Sequence, residues 1–240
     1  MVTHMCIATL ACQSRGLLLA LLIAFATPAA ADDLADFNAA VETAMSHHRV
    51  ALGYLRTGNV DLAAIELDDM RAAWGRLSSL RRPTAFRDQE RYTATMLEIA
   101  AGLVGTTLVL NMGRADVARE SLERIRVSLS ALRRENDVAV LADCVLDANS
   151  AMDALFAHNE RPDWSNVPAS ADTYRATLQR CDGMAPPAIR DRAEFRRLID
   201  GALASLAQFP RAIEARDGDL LHRLLIELRS FDNLLAFRYG

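Results

Sequence analysis

The chain has 240 residues, a formal net charge of −4 and a hydrophobic content of 51%, enough for one large domain or two small ones. Aromatic residues make up 6% and charged residues 24%, and this alanine- and leucine-rich balance suits helices better than sheets. All 27 basic residues are arginine and are spread along the chain, so no basic block is dense enough for a nucleic-acid footprint.

The first predicted element is a leader. Arg15 closes a short, weakly basic region, Leu17–Phe25 is an apolar run, and Ala29-Ala30-Ala31 follows Pro28 as a small-residue cleavage site. This pattern predicts a signal peptide over residues 1–31, cleaved after Ala31, and a periplasmic location for the mature protein. The run is too short to span a bilayer. No cysteine follows the cleavage point, so no lipid anchor is expected. The apolar run Ile99–Leu110 is also too short to span and reads as a core helix.

Apolar residues then recur at helical spacing nearly everywhere. Leu34, Phe37, Val41, Ala44, His48, Ala51 and Leu55 step by threes and fours, as do Tyr92, Met96, Ile99 and Leu103. The same steps link Leu141, Cys144, Ala148, Met152 and Leu155, and later Phe195, Leu198, Ala202, Leu206, Phe209 and Ile213. Each set is the buried stripe of an amphipathic helix. No useful length alternates with period two. With glycine, proline and aspartate as punctuation, the pattern predicts helices over 33–57, 60–80, 88–112, 115–134, 139–158, 170–182, 189–216 and 218–238. Pro210 should kink or split the seventh.

Three of the breaks share a form: Gly58 before Asp61, Gly113 before Asp116, and Gly218 before Asp219. Glycine supplies a left-handed helix end, and aspartate suits the positive start of the next helix. Aligning the three aspartates brings Leu62, Val117 and Leu220, and five residues on Leu67, Leu122 and Leu225, into one register. Met70, Ile125 and Leu228 follow, each succeeded by an arginine (Arg71, Arg126, Arg229), and then Leu77, Leu132 and Leu235. The chain is therefore read as containing three helix–turn–helix repeats. The fold class expected is all-α: two tandem antiparallel four-helix bundle units, residues 32–135 and 136–240, after the cleaved leader.

The hairpin from Met45 through Tyr54 to Trp74 resembles the first two helices of class II c-type cytochromes, the cytochrome c′ group, and Leu235–Gly240 resembles the close of that family's last helix. The resemblance implies a periplasmic four-helix scaffold and a homodimer formed through first helices. The family's haem is held by Cys-x-x-Cys-His near the end of the fourth helix. Ser230–Leu234 and Val127–Ala131, which would occupy that place in the two units, hold neither the thiols nor the histidine. The resemblance is to a scaffold, and no covalent haem is expected.

Little catalytic chemistry is visible. No nucleophile elbow, phosphate loop, His-Glu-x-x-His or Gly-x-Gly-x-x-Gly appears. Once Cys6 and Cys12 leave with the leader, Cys144 and Cys181 remain, without metal-ligand spacing. They lie at similar heights on neighbouring stripes and are read as a disulfide, the alternative being two buried thiols. His48 lies on the buried stripe with Met45 one turn before it, a pair able to ligate haem or copper, although a core histidine bonded to a neighbour is the simpler alternative. His47 should face solvent. Asp219–His222 is a single weak copy of a carboxylate–histidine motif, and Asp68-Asp69 reads as a solvated face. The function expected is that of a non-enzymatic periplasmic binding or interaction protein without cofactor, nucleic acid or membrane anchor. The alternative is a non-covalent haem or copper carrier using Met45 and His48.

Overall fold

The structure is a computed structural model that describes residues 28–159 and 162–240, with side chains from Asp33 onward. The leader expected over residues 1–31, with Cys6 and Cys12, lies outside the described residues apart from Pro28–Ala31, which begin the first helix. Every element is a helix: α1 Pro28–Arg56, α2 Val60–Ser78, α3 Gln89–Asn111, α4 Ala115–Arg134, α5 Leu141–Phe156, α6 Val167–Met184, α7 Pro187–Arg190, α8 Ala193–Leu206, α9 Phe209–Glu214 and α10 Gly218–Tyr239. No strand occurs among the described residues. The protein is all-α, as the periodicity requires.

The apolar stripes become two cores. One runs from Phe37 to Val138 and the other from Leu141 to Leu235. Around the first, α1 packs on α2, α2 on α3, α3 on α4 and α4 on α1. Around the second, α5 packs on α6, α6 on α8, α8 on α10 and α10 on α5. The loop between α2 and α3 is pinned by Phe86, fully buried against Phe37 and Tyr92 with ring centroids 5.1 and 5.4 Å away.

The turns explain why the helices stop. Asn59, Arg114, Val138 and Asp217 each donate a backbone N–H to the carbonyl five residues earlier, at 2.9–3.0 Å. The residue before each is left-handed: Gly58 at φ 76, Gly113 at φ 75, Asp137 at φ 59 and Arg216 at φ 47. This is the Schellman closure of a helix C-terminus. It corrects the third repeat junction. Gly218 is the first residue of α10, and Asp217 caps that helix by accepting Leu220 N–H at 2.9 Å. The left-handed residue is Arg216, which stands three before Asp219 just as Gly58 and Gly113 stand three before Asp61 and Asp116. Nine of the twelve aligned apolar positions of the repeat are buried, whereas Leu62 is exposed and Val117 and Leu220 are half-buried.

Two further expectations change. The single helix expected over 189–216 is three helices. Arg192 is extended at ψ 132, and Pro210 in the first turn of α9 has no N–H to continue the ladder from α8. The apolar run Ile99–Leu110 belongs to the longer helix α3, which has a mean hydropathy of 1.6 over its most apolar stretch. By length and composition α3 could cross a membrane, yet only 33% of that stretch is buried. Its inner face, including Ile99, Leu103 and Leu110, lies in the core. Its outer face, from Leu97 to Met112, is exposed.

The two cores meet through a small set of polar contacts. Arg133 reaches Asp143 at 3.4 Å, linking α4 to α5. Arg49 of α1 donates to the Gly240 carbonyl at 2.9 Å, linking α1 to the end of α10. Gly53 lets the Phe237 ring approach, since a Cβ there would lie 3.3 Å from it.

Candidate functional site

His48 and Met45 both lie in the first core, one turn apart on α1 and fully or almost fully buried. The His48 Nε2 is 2.9 Å from the Leu122 carbonyl. A carbonyl only accepts, so Nε2 carries the proton and Nδ1 presents a lone pair. Nδ1 has no hydrogen-bond partner. Burial holds the ring's pKa down to about 4; the Leu122 bond opposes this, and the nearby Arg126 and Arg49 charges add to it. His48 is therefore a neutral imidazole at any ordinary pH.

The histidine lies at the inner end of a narrow cleft between α1 and α4 on one side and α5 and α10 on the other. Arg49, Arg56 and Arg126 line it together with Glu123, and Asn149 and Asn233 stand opposite. Its volume is about 60 Å³, large enough for a small oxyanion and far short of a haem. Met45 is not among the lining residues. Arg49 pairs with Glu42 at 2.5 Å and Arg126 with Glu123 at 2.9 Å, whereas Arg56 has no ion-pair partner among the described residues. Donors therefore outnumber acceptors in the cleft, and its charge is positive in a chain that is negative overall.

Beyond Asn149, a second buried polar group belongs to the other core. Asp232 is 1% exposed. It accepts from Asn149 Nδ2 at 2.7 Å and from the Tyr174 hydroxyl at 3.4 Å, and Arg229 stands 3.8 Å away. Burial raises the Asp232 carboxyl to about 6 against the pull of Asn149 and Arg229. Burial and the neighbouring carboxylate also push the Tyr174 hydroxyl well above its ordinary value. The sequence reading missed this group. The repeat register held the signal, because Asp232 takes the position of Trp74 and Leu129 in the other two repeats.

Cys144 of α5 and Cys181 of α6 stand at disulfide distance, with Cα atoms 5.5 Å apart and the sulfurs bonded. That Cα separation is within the range a disulfide requires. A surface groove of about 440 Å³ opens beside Cys144, lined by Arg134, Asp147 and Arg180. Arg134 and Arg180 both bind Asp147, at 2.5 and 2.8 Å, and Asp137 and Asp143 also line the groove, so it holds no surplus positive charge.

The remaining sequence candidates fall on surfaces. His47 is half-buried and bonds Glu66 at 2.8 Å, and with exposed Asp69 it forms a cluster of ligand atoms within 4.8 Å of one another. Asp68 pairs with Arg71 at 3.1 Å on the solvated face. Asp219 is exposed, and the exposed His222 bonds Asn159 at 2.8 Å, so the Asp219–His222 pair does not point into a core.

No protein-family model matches the chain, and neither curated proteins nor solved structures give a significant match.

Proposed function

We propose that the chain is an exported, non-enzymatic binding protein whose two antiparallel four-helix bundles hold a small anionic group in the cleft between them. The observation that carries this reading is the convergence of Arg49, Arg56 and Arg126 on one narrow space, with the unpartnered Nδ1 of His48 at its inner end. Guanidinium groups in a partly desolvated cleft are the donors that carboxylates and phosphates bind best. The bundle reading draws on the two closed cycles of helix contacts and keeps the likeness to a haem-free cytochrome c′ scaffold. Export draws on the leader pattern and on the Cys144–Cys181 pair, since disulfides persist in oxidising compartments.

Calorimetric titration with inorganic phosphate and with succinate tests the reading. Saturable binding of at least one, weakened about tenfold or more in Arg56→Gln and Arg126→Gln, is the expected result. No binding, or binding indifferent to both substitutions, would contradict it. The second reading, a carrier using Met45 and His48, draws on the same unpartnered Nδ1, and the small cleft favours a copper ion over a haem. It requires stoichiometric uptake that is lost in His48→Gln.

A further inference from the structure

We propose that the anion taken by the cleft is one that keeps an O–H at neutral pH, inorganic hydrogen phosphate, and that His48 selects it over a fully ionised anion of the same shape such as sulfate. The inference rests on the reading of the cleft as an anion site and adds the chemical class of its ligand. Among the residues that line the cleft, two buried polar atoms have no hydrogen-bond partner, the Nδ1 of His48 and the Nε of Arg126. The two side chains are neighbours. Arg126 follows Leu122 by one turn of α4, so the ring that bonds the Leu122 carbonyl lies beside it, and the Arg126 charge acts on that ring. A buried polar atom left unpaired is costly. Two of them lining one space mark a place that a ligand completes.

The two atoms are opposite in kind. The Arg126 Nε–H can only donate. The His48 Nδ1 can only accept, because Nε2 spends the ring's one proton on Leu122 and burial keeps the ring from taking a second at ordinary pH. Glu123, which lines the same space and binds Arg126 at 2.9 Å, is a further acceptor. The ligand must therefore accept at a guanidinium and donate to an imidazole. Sulfate does only the first, and its lone pairs would confront those of Nδ1 and Glu123. Hydrogen phosphate does both. Its ionised oxygens accept from Arg126 and from Arg56, which no carboxylate holds among the described residues, while its hydroxyl donates to Nδ1. It keeps that hydroxyl across the neutral range, whereas a phosphomonoester loses its last O–H near pH 6 and then resembles sulfate. Size agrees with a single tetrahedral oxyanion. The cleft of about 60 Å³ has room for roughly two waters at about 30 Å³ each. A water bridging the two atoms would satisfy both and leave the arginine charge uncompensated; the phosphate completes all three.

Calorimetric titration of the full chain with sodium phosphate and with sodium sulfate, in a neutral chloride buffer, tests the selection. Phosphate should bind at least about 100-fold more tightly, since a site that hydrogen-bonds a ligand O–H rejects the analogue without one. In His48→Leu, with circular dichroism to verify the fold, the preference should fall below about tenfold. A second measurement does not depend on that variant. In the nitrogen-15-labelled chain the His48 Nδ1 resonance should move upfield with phosphate, as a lone pair does on accepting a hydrogen bond, and stay in place with sulfate. Equal binding of phosphate and sulfate, or binding of succinate without phosphate, would overturn the selection and leave the anion cleft standing. A preference that survives His48→Leu, or an Nδ1 resonance unmoved by bound phosphate, would overturn the part given to His48. No binding of phosphate, sulfate or succinate would overturn the cleft reading and this inference with it.

Discussion

The first core conceals a histidine and the second an aspartate, and the two respond to acid in opposite directions. His48 has a pKa of about 4 in the fold and an ordinary value of 6.5. Between those values the unfolded chain binds a proton that the folded chain refuses. Acidification from pH 6.5 to 4 therefore removes stability from the first half, up to about 3 kcal/mol. Asp232 has a pKa of about 6 in the fold against 3.8. In that window the folded chain holds the extra proton, so its contribution is full below pH 3.8 and is lost as pH rises through 6. Acidification thus adds to the second half by a similar amount, about 3 kcal/mol. Similar helix pairs, built on one repeat, bury groups whose pKa values are displaced in opposite directions.

The halves also differ in how they are closed. Among the described residues, two of the left-handed helix ends in the first half are glycines, Gly58 and Gly113, and the third, closing α4, is Asp137, while the one in the second half is Arg216. A side chain in that conformation costs about 1 kcal/mol. The second half carries a covalent brace instead, Cys144–Cys181, with 37 residues of sequence separation. It spans α5 and α6, whose connection is longer than the tight hairpin turns of the first half.

Three substitutions sharpen this contrast. Leu225→Asp should do the most damage, because it places an unpaired charge at a fully buried repeat position and should cost about 4 kcal/mol or more. Urea denaturation should then show the second half unfolding far earlier and the first half less affected. A midpoint close to that of the unsubstituted chain would show that the repeat register is wrong for α10. Cys144→Ser should cost about 3–4 kcal/mol, since it releases the closed loop in the unfolded state. The loss should fall on the second half, and thiol titration of the non-reduced, denatured chain carrying Cys6→Ser and Cys12→Ser should find no reactive thiol before the substitution and one after it. Arg216→Gly should raise the stability of the second half by about 1 kcal/mol, read as a small upward shift in melting temperature.

The helices and the repeat were legible because each stripe has a 3.6-residue period and each turn has its own chemistry. Pro210 marked the break before α9 for the same reason, and Cys144 and Cys181 could be paired from stripe and height alone. Arg192 gave no such warning, because nothing in an arginine side chain forbids a helix. Arg216 was hidden because a nearby glycine, Gly218, seemed to supply the left-handed turn. Asp232 was hidden because an aspartate within a surface helix is ordinarily solvated. Its burial depends on Asn149 and Tyr174 arriving from two other helices. The cleft at His48 is of the same kind, assembled from α1, α4, α5 and α10, and no local pattern brings those four together.

Each half contains one tryptophan, Trp74 packed in the first core and Trp164 against the second. Urea denaturation followed by fluorescence in Trp164→Phe and Trp74→Phe chains, at pH 6.5 and again at pH 4.5, therefore reads the halves separately. The expected result is a midpoint that falls on acidification when Trp74 reports, and one that holds or rises when Trp164 reports. His48→Gln should abolish the fall, and Asp232→Asn should remove the compensation. Two midpoints that fall in parallel, indifferent to both substitutions, would contradict the account of two cores whose buried groups respond to acid in opposite directions.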